Sequence, residues 1–121
     1  MIRLVLIAQG LYYIATGAWP IASRTTFESI TGPKTDFWLV HMVGALAVAI
    51  GATILNGARG RGVERKVKRE VIFLAAVSAI AFASIDVVYV LNQTIRPIYL
   101  GDAAIEALFL LGLLIGRRNG E

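Results

Sequence analysis

Apolar residues fall in four long runs separated by short polar stretches. The clearest is 71–93, VIFLAAVSAIAFASIDVVYVLNQ, which is apolar almost throughout and carries one carboxylate, Asp86. A bilayer-spanning helix needs about 20 such residues, and a charge within one is expensive enough to suggest a purpose. The pattern predicts spans over residues 2–22, 37–55, 71–91 and 97–116. The fold class expected is all-α: residues 1–121 form one integral membrane domain, an antiparallel four-helix transmembrane bundle, with no internal repeats.

The boundaries follow from local chemistry. Trp19 and Pro20 mark the end of the first run, since tryptophan prefers the headgroup level and proline disfavours helix in the residue before it. With Arg3 in front, that run could be read as a signal peptide, but it is long for one and Met1 is present, so a retained helix is expected. Phe27 and Ile30, at i, i+3, suit a short interfacial helix. Thr31-Gly32-Pro33 reads as a turn, and Thr35 or Asp36 as the cap of the second span. In that span His41, Gly44, Val48 and Gly51 form a seam; small residues let helices approach closely in lipid. In the third, Ala75, Ala79, Ala83, Asp86, Val90 and Gln93 share a face, which turns Asp86 toward protein. The short linker 92–96 forces a hairpin. Pro97 suits the first turn of the fourth span.

Composition supports the membrane reading. Of the 121 residues 57% are hydrophobic and only 17% charged, and the mean hydropathy is +0.70. The net charge of +4 could suggest nucleic acid, but the basic residues lie between apolar runs, as topology signals do; no nucleic-acid partner is expected. Nine of the twelve Lys and Arg residues fall on the side of the termini and the middle loop, against Arg24, Lys34 and Arg96 on the other. The positive-inside rule then places both termini in the cytoplasm, and a bacterial cytoplasmic membrane is the expected location. There is no cysteine and one histidine, which excludes disulfides, thiolate chemistry and a multi-histidine metal or haem site; no metal and no cofactor is expected.

Candidate chemistry lies toward the extracytoplasmic side of this topology. The candidate ligand-binding residues are Tyr12, Tyr13, His41, Asp86, Tyr89, Asp102 and Glu106. Rise along the helix puts His41 about 7 Å below its outer end and Glu106 about 14 Å from Pro97. Each has a plainer reading: His41 as a hydrogen-bonded structural residue, the tyrosines as interfacial aromatics, Asp102 as a helix-start carboxylate. Asp86 and Glu106 resist one, because a carboxylate in hydrocarbon must be paired, solvated or protonated, and no Lys or Arg lies at their depth. His41 could pair with an acid, two acids could share a proton, or the site could await a cation facing carboxylates and tyrosine rings.

The runs LYYIATGAWP (11–20) and TGPKTDFWLV (31–40) resemble segments of small bacterial four-helix membrane proteins, and the plan is similar to that of the DoxX-like group. This resemblance covers the first half of the chain and carries no assigned chemistry onto a residue. The combination of acids, histidine and aromatics also resembles, in residue types and helix number, the emopamil-binding-protein and sigma-2-receptor group, which implies a sterol or lipophilic amine as ligand. The small multidrug-resistance transporters share the length and helix number, but place their essential glutamate in the first helix, where this chain has Gln9.

Three functions are compatible with these residues. The first is a membrane protein binding a small amphiphile or amine in an outward-facing acidic pocket. The second is a structural or accessory subunit whose polar groups are interhelical hydrogen bonds, with a homodimer through Gly44/Gly51 or Gly112/Gly116 as a variant. The third is an enzyme moving protons on a lipophilic substrate with an acid and His41.

Overall fold

The computed structural model describes residues 2–33, 36–59 and 67–118. It contains five helices: α1 (Ile2–Ala22), α2 (Arg24–Thr31), α3 (Phe37–Arg59), α4 (Arg69–Leu91) and α5 (Tyr99–Arg118). Four of them, all but α2, are long and apolar enough to cross a membrane. Only 33% of the α1 span and 22% of each other span is buried within the chain. Leu4, Trp38, Phe73, Leu91 and Leu108 all point outward. Apolar surface on this scale needs a non-aqueous neighbour, and a lipid bilayer supplies it.

The tightest packing joins α1 to α3. A Cβ on Gly10 would stand 2.8 Å from the Gly51 carbonyl oxygen, and one on Gly51 would stand 2.6 Å from that of Gly10. One level along, a Cβ on Gly17 would stand 2.5 Å from the Gly44 oxygen, and one on Gly44 would collide with that of Gly17. No side chain fits there, so the backbones touch, which is how helices gain van der Waals contact where there is no water to expel. Gly44 and Gly51 are therefore spent inside the chain, as are Gly112, against Val5, and Gly116, against Ile2. A homodimer seam built on these glycines is not available in this packing.

The remaining contacts close one end of the molecule. Gly57 meets Val71 of α4, and Ile2, Leu6, Ile54, Ala58, Ala75 and Leu113 form a buried apolar cluster near the termini. At the other end α2 crosses between α1 and α3. Ser23 caps it, its hydroxyl accepting from the Thr26 amide. Gly32 stops it at φ +100°, where a side chain would be strained, and donates its N–H to the Glu28 carbonyl. Trp19 packs edge-on against Phe27, Phe27 against Phe37, and the Arg24 guanidinium lies 4.3 Å over the Phe37 ring. A short helix is present around Phe27 and Ile30, as the spacing of those residues suggests.

Several expected boundaries move. The second span continues past Leu55 to Arg59: Asn56-Gly57 reads as a break, yet Gly57 packs on Val71 and Ala58 is fully buried, so tertiary contact carries the helix on. The third span begins at Arg69, with Glu70 in its first turn. The fourth begins at Tyr99, not Pro97, and ends at Arg118. Arg96, Pro97 and Ile98 form the preceding turn, their carbonyls accepting from the amides of Tyr99, Leu100 and Gly101. Thr35 lies outside the described residues; the Asp36 carbonyl accepts from the Leu39 amide at the start of α3.

Because α1 and α3 touch through backbone, a methyl group at the crossing is expected to destabilise the protein by about 1–3 kcal/mol. Gly44→Ala should lower the midpoint of unfolding in detergent. Gly101→Ala, with nothing within 4 Å of the added Cβ, should leave it unchanged or raise it.

Candidate functional site

Above the apolar cluster the helices separate around a cavity of about 770 Å³. Its walls come from all five helices and from the turn between α4 and α5. Most of the lining is apolar: Val40, Val43 and Ala47 from α3, Phe82 and Ile85 from α4, Ile98 and Ile105 toward α5. The polar exceptions concentrate on α1, α4 and α5. They include three carboxyl groups, Asp86, Asp102 and Glu106, and three tyrosines, Tyr12, Tyr13 and Tyr99. Among the described residues no Lys, Arg or His lines the cavity.

Each polar group is placed by a simple local rule. Tyr12 and Tyr13 are consecutive on α1 and Asp102 and Glu106 are one turn apart on α5, so two tyrosines can meet two acids. Tyr12 donates its hydroxyl hydrogen to Asp102. Tyr13 donates to Glu106 at 2.5 Å. The Gln9 amide nitrogen, one turn from Tyr13, donates to the Tyr13 oxygen at 3.0 Å and to the Ala75 carbonyl at 2.9 Å. Gln9 thus donates both to the α4 backbone and to Tyr13, which donates on to Glu106, and all three side chains are almost completely buried. Phe109 packs edge-on against both tyrosine rings, and Phe82 against Tyr13. These rings hold the hydroxyls on their acceptors and keep lipid away from them.

Asp86 is held differently. It lines the cavity beside Asp102 and Glu106, and it is buried. Its Oδ2 is buried with no hydrogen-bond partner, as is Oε1 of Gln9. An unserved oxygen in an apolar surrounding costs about 1–3 kcal/mol, more for a charged group. Thr31 of α2 hydrogen-bonds to Tyr99, tying the crossing helix to the head of α5.

Five of the seven candidate residues, Tyr12, Tyr13, Asp86, Asp102 and Glu106, come together at this cavity. The other two do not. His41 is exposed on α3, its ring edge-on to Phe37 at 4.9 Å. Tyr89 is 42% exposed on α4 and lies away from the cavity lining. The seam through His41 holds at Gly44 and Gly51 but not at His41 itself, because the inward stripe of a 3.6-residue helix drifts over two turns. Sequence reasoning passed over Tyr99 and the aromatic supports Phe82 and Phe109. Tyr99 had a signal: with Asp102 and Glu106 it repeats at i+3 and i+4 along one face. Asp102 serves as more than a helix-start carboxylate, since it accepts a bond from a residue ninety positions away. Among the described residues no group of acids and histidine is arranged to hold a metal ion.

Comparison with protein families, characterised proteins and solved structures yields no match. The resemblances noted above rest on the residues of this chain alone.

The Tyr13 hydroxyl joins two buried groups, accepting from Gln9 and donating to Glu106. Tyr13→Phe is expected to cost about 1–3 kcal/mol of unfolding free energy. Tyr89→Phe on the exposed face should be near neutral in the same detergent unfolding titration.

Proposed function

We propose that this protein is an antiparallel four-helix bundle of the bacterial cytoplasmic membrane, with both termini in the cytoplasm, and that it binds a small amphiphilic or cationic ligand in its acidic cavity. One observation carries the reading: an apolar cavity of about 770 Å³ holds three carboxyl groups and, among the described residues, no basic side chain. That volume falls within the range of small-molecule pockets, which are mostly apolar with a few convergent polar groups. Acids without a basic partner complement a cation, and tyrosine faces add to that preference.

The scaffold reading draws support from the tyrosine–acid bonds, since interhelical hydrogen bonds in membranes contribute about 0.6–2 kcal/mol each. It leaves the cavity without a purpose. The enzyme reading relied on an acid–histidine pair, and His41 stands outside the cavity.

Binding of dodecylamine to the purified protein tests the proposal. The double variant Asp86→Asn, Glu106→Gln should weaken binding at least about tenfold, with unfolding monitored separately; unchanged affinity in a folded double variant refutes the reading. The topology has its own test. Fluorescent protein fused after Glu121 should fluoresce, and alkaline phosphatase fused at the same place should be inactive; the reverse pattern would invert the assignment.

A further inference from the structure

The cavity is not walled evenly. Val43 on α3, Ile85 on α4 and Ile98 in the α4–α5 turn all line it and are each more than half exposed. The cavity is therefore open, not sealed, where they lie. The opening lies between α3 and the α4–α5 hairpin. α3 is committed to α1 through the glycine contacts and meets α4 near the termini, where Val71 packs on Gly57. Toward α2 those helices part. The other approach, from the head of the bundle, is crossed by α2. Phe27, Ile30 and Thr31 of α2 line the cavity there, with Thr31 bonded to Tyr99 and the Arg96 guanidinium on the Ser29 carbonyl.

Resting on the binding reading above, we propose that the ligand is a membrane-dissolved, single-chain amine that enters sideways from the bilayer: its ammonium lies among Asp86, Asp102 and Glu106 and its chain extends out through the slot between α3 and the α4–α5 hairpin. Charge selects the head, since acids face it from α4 and α5 and no basic residue lines the cavity among the described residues. The tyrosine hydroxyls already serve Asp102 and Glu106, while Oδ2 of Asp86 has no donor. Position selects the tail, since the slot's edges are isoleucine and valine that already face acyl chains. A water-soluble dication has no reason to use such an entrance. A chain that begins in lipid and ends at a carboxylate does.

The experiment uses the full chain in phosphatidylcholine nanodiscs, with a long-chain primary amine bearing a diazirine at mid-chain. Irradiation should concentrate label around Val43, Ile85 and Ile98, and excess dodecylamine should suppress it. The matching photoreactive alcohol should give neither the concentration nor the competition. Val43→Trp should reduce amine affinity about tenfold by obstructing the slot. Leu46→Trp, one turn away and equally exposed but outside the lining, should leave it unchanged; thermal unfolding verifies that both variants fold. Label spread evenly over outward residues such as Leu46 and Leu108, or equal effects of the two tryptophans, overturns the sideways route. If dodecylamine then still binds in a carboxylate-dependent way, the cavity reading stands without it. If no amine binds at all, both fall.

Discussion

The backbone contact between α1 and α3 governs the rest of the molecule. Two pairs of glycines, Gly10 with Gly51 and Gly17 with Gly44, remove the side chains that would hold these helices at ordinary spacing. In lipid there is no water to expel, so close backbone approach is the main source of contact energy. With α3 drawn onto α1 along its length, it cannot also cover α5. The α4–α5 hairpin meets α1 from another side, closely at Gly112 and Gly116 near the termini and through the tyrosine–acid bonds further along, while α3 reaches α4 at Gly57. The cavity is the space this arrangement leaves.

What occupies the walls of that space is an electrostatic problem solved with hydroxyl groups. Three carboxyl groups line this space, and among the described residues no cation lines it with them. Neutral donors serve two of the three: Tyr12 on Asp102, Tyr13 on Glu106, with Gln9 behind Tyr13. A tyrosine brings its donor on a rigid apolar body, so it satisfies an acid without placing further charge in the membrane. Asp86 is the exception, buried with one oxygen unserved. The site is therefore acidic, supported from behind by aromatic packing and incompletely satisfied at Asp86. Such an arrangement costs stability.

The legible parts of the site were those fixed by periodicity and cost. Asp86 and Glu106 stood out because nothing apolar explains an acid in a span. Asp86 was placed toward protein by the alanines that share its face, and it is buried. His41 was grouped with Gly44 and Gly51 by the same reasoning and is exposed. The difference lies in what each face meets. Alanines and Asp86 on α4 look toward α1 and α5, whereas the glycine seam of α3 presses so closely on α1 that a side chain one turn beyond it is rotated outward, onto Phe37. Tyr99 went unnoticed because a tyrosine near a span end has an ordinary interfacial reading, although it shares a face with Asp102 and Glu106 and lines the cavity with them.

By itself, then, the sequence determined the helical class, the number of spans long enough to cross a bilayer, the short crossing helix after the first of them, and the presence of acids that apolar surroundings must accommodate. These depend on length, hydropathy and turn chemistry, which are local. Only the tertiary structure decided that Gly44 and Gly51 serve α1, that α3 continues through Gly57 to reach Val71, that Tyr12 and Tyr13 find Asp102 and Glu106, and that the helices part on one side. Those outcomes depend on which faces meet. A helix pattern repeats too regularly, and its stripe drifts too much over several turns, for the partner of each face to be written in its own residues.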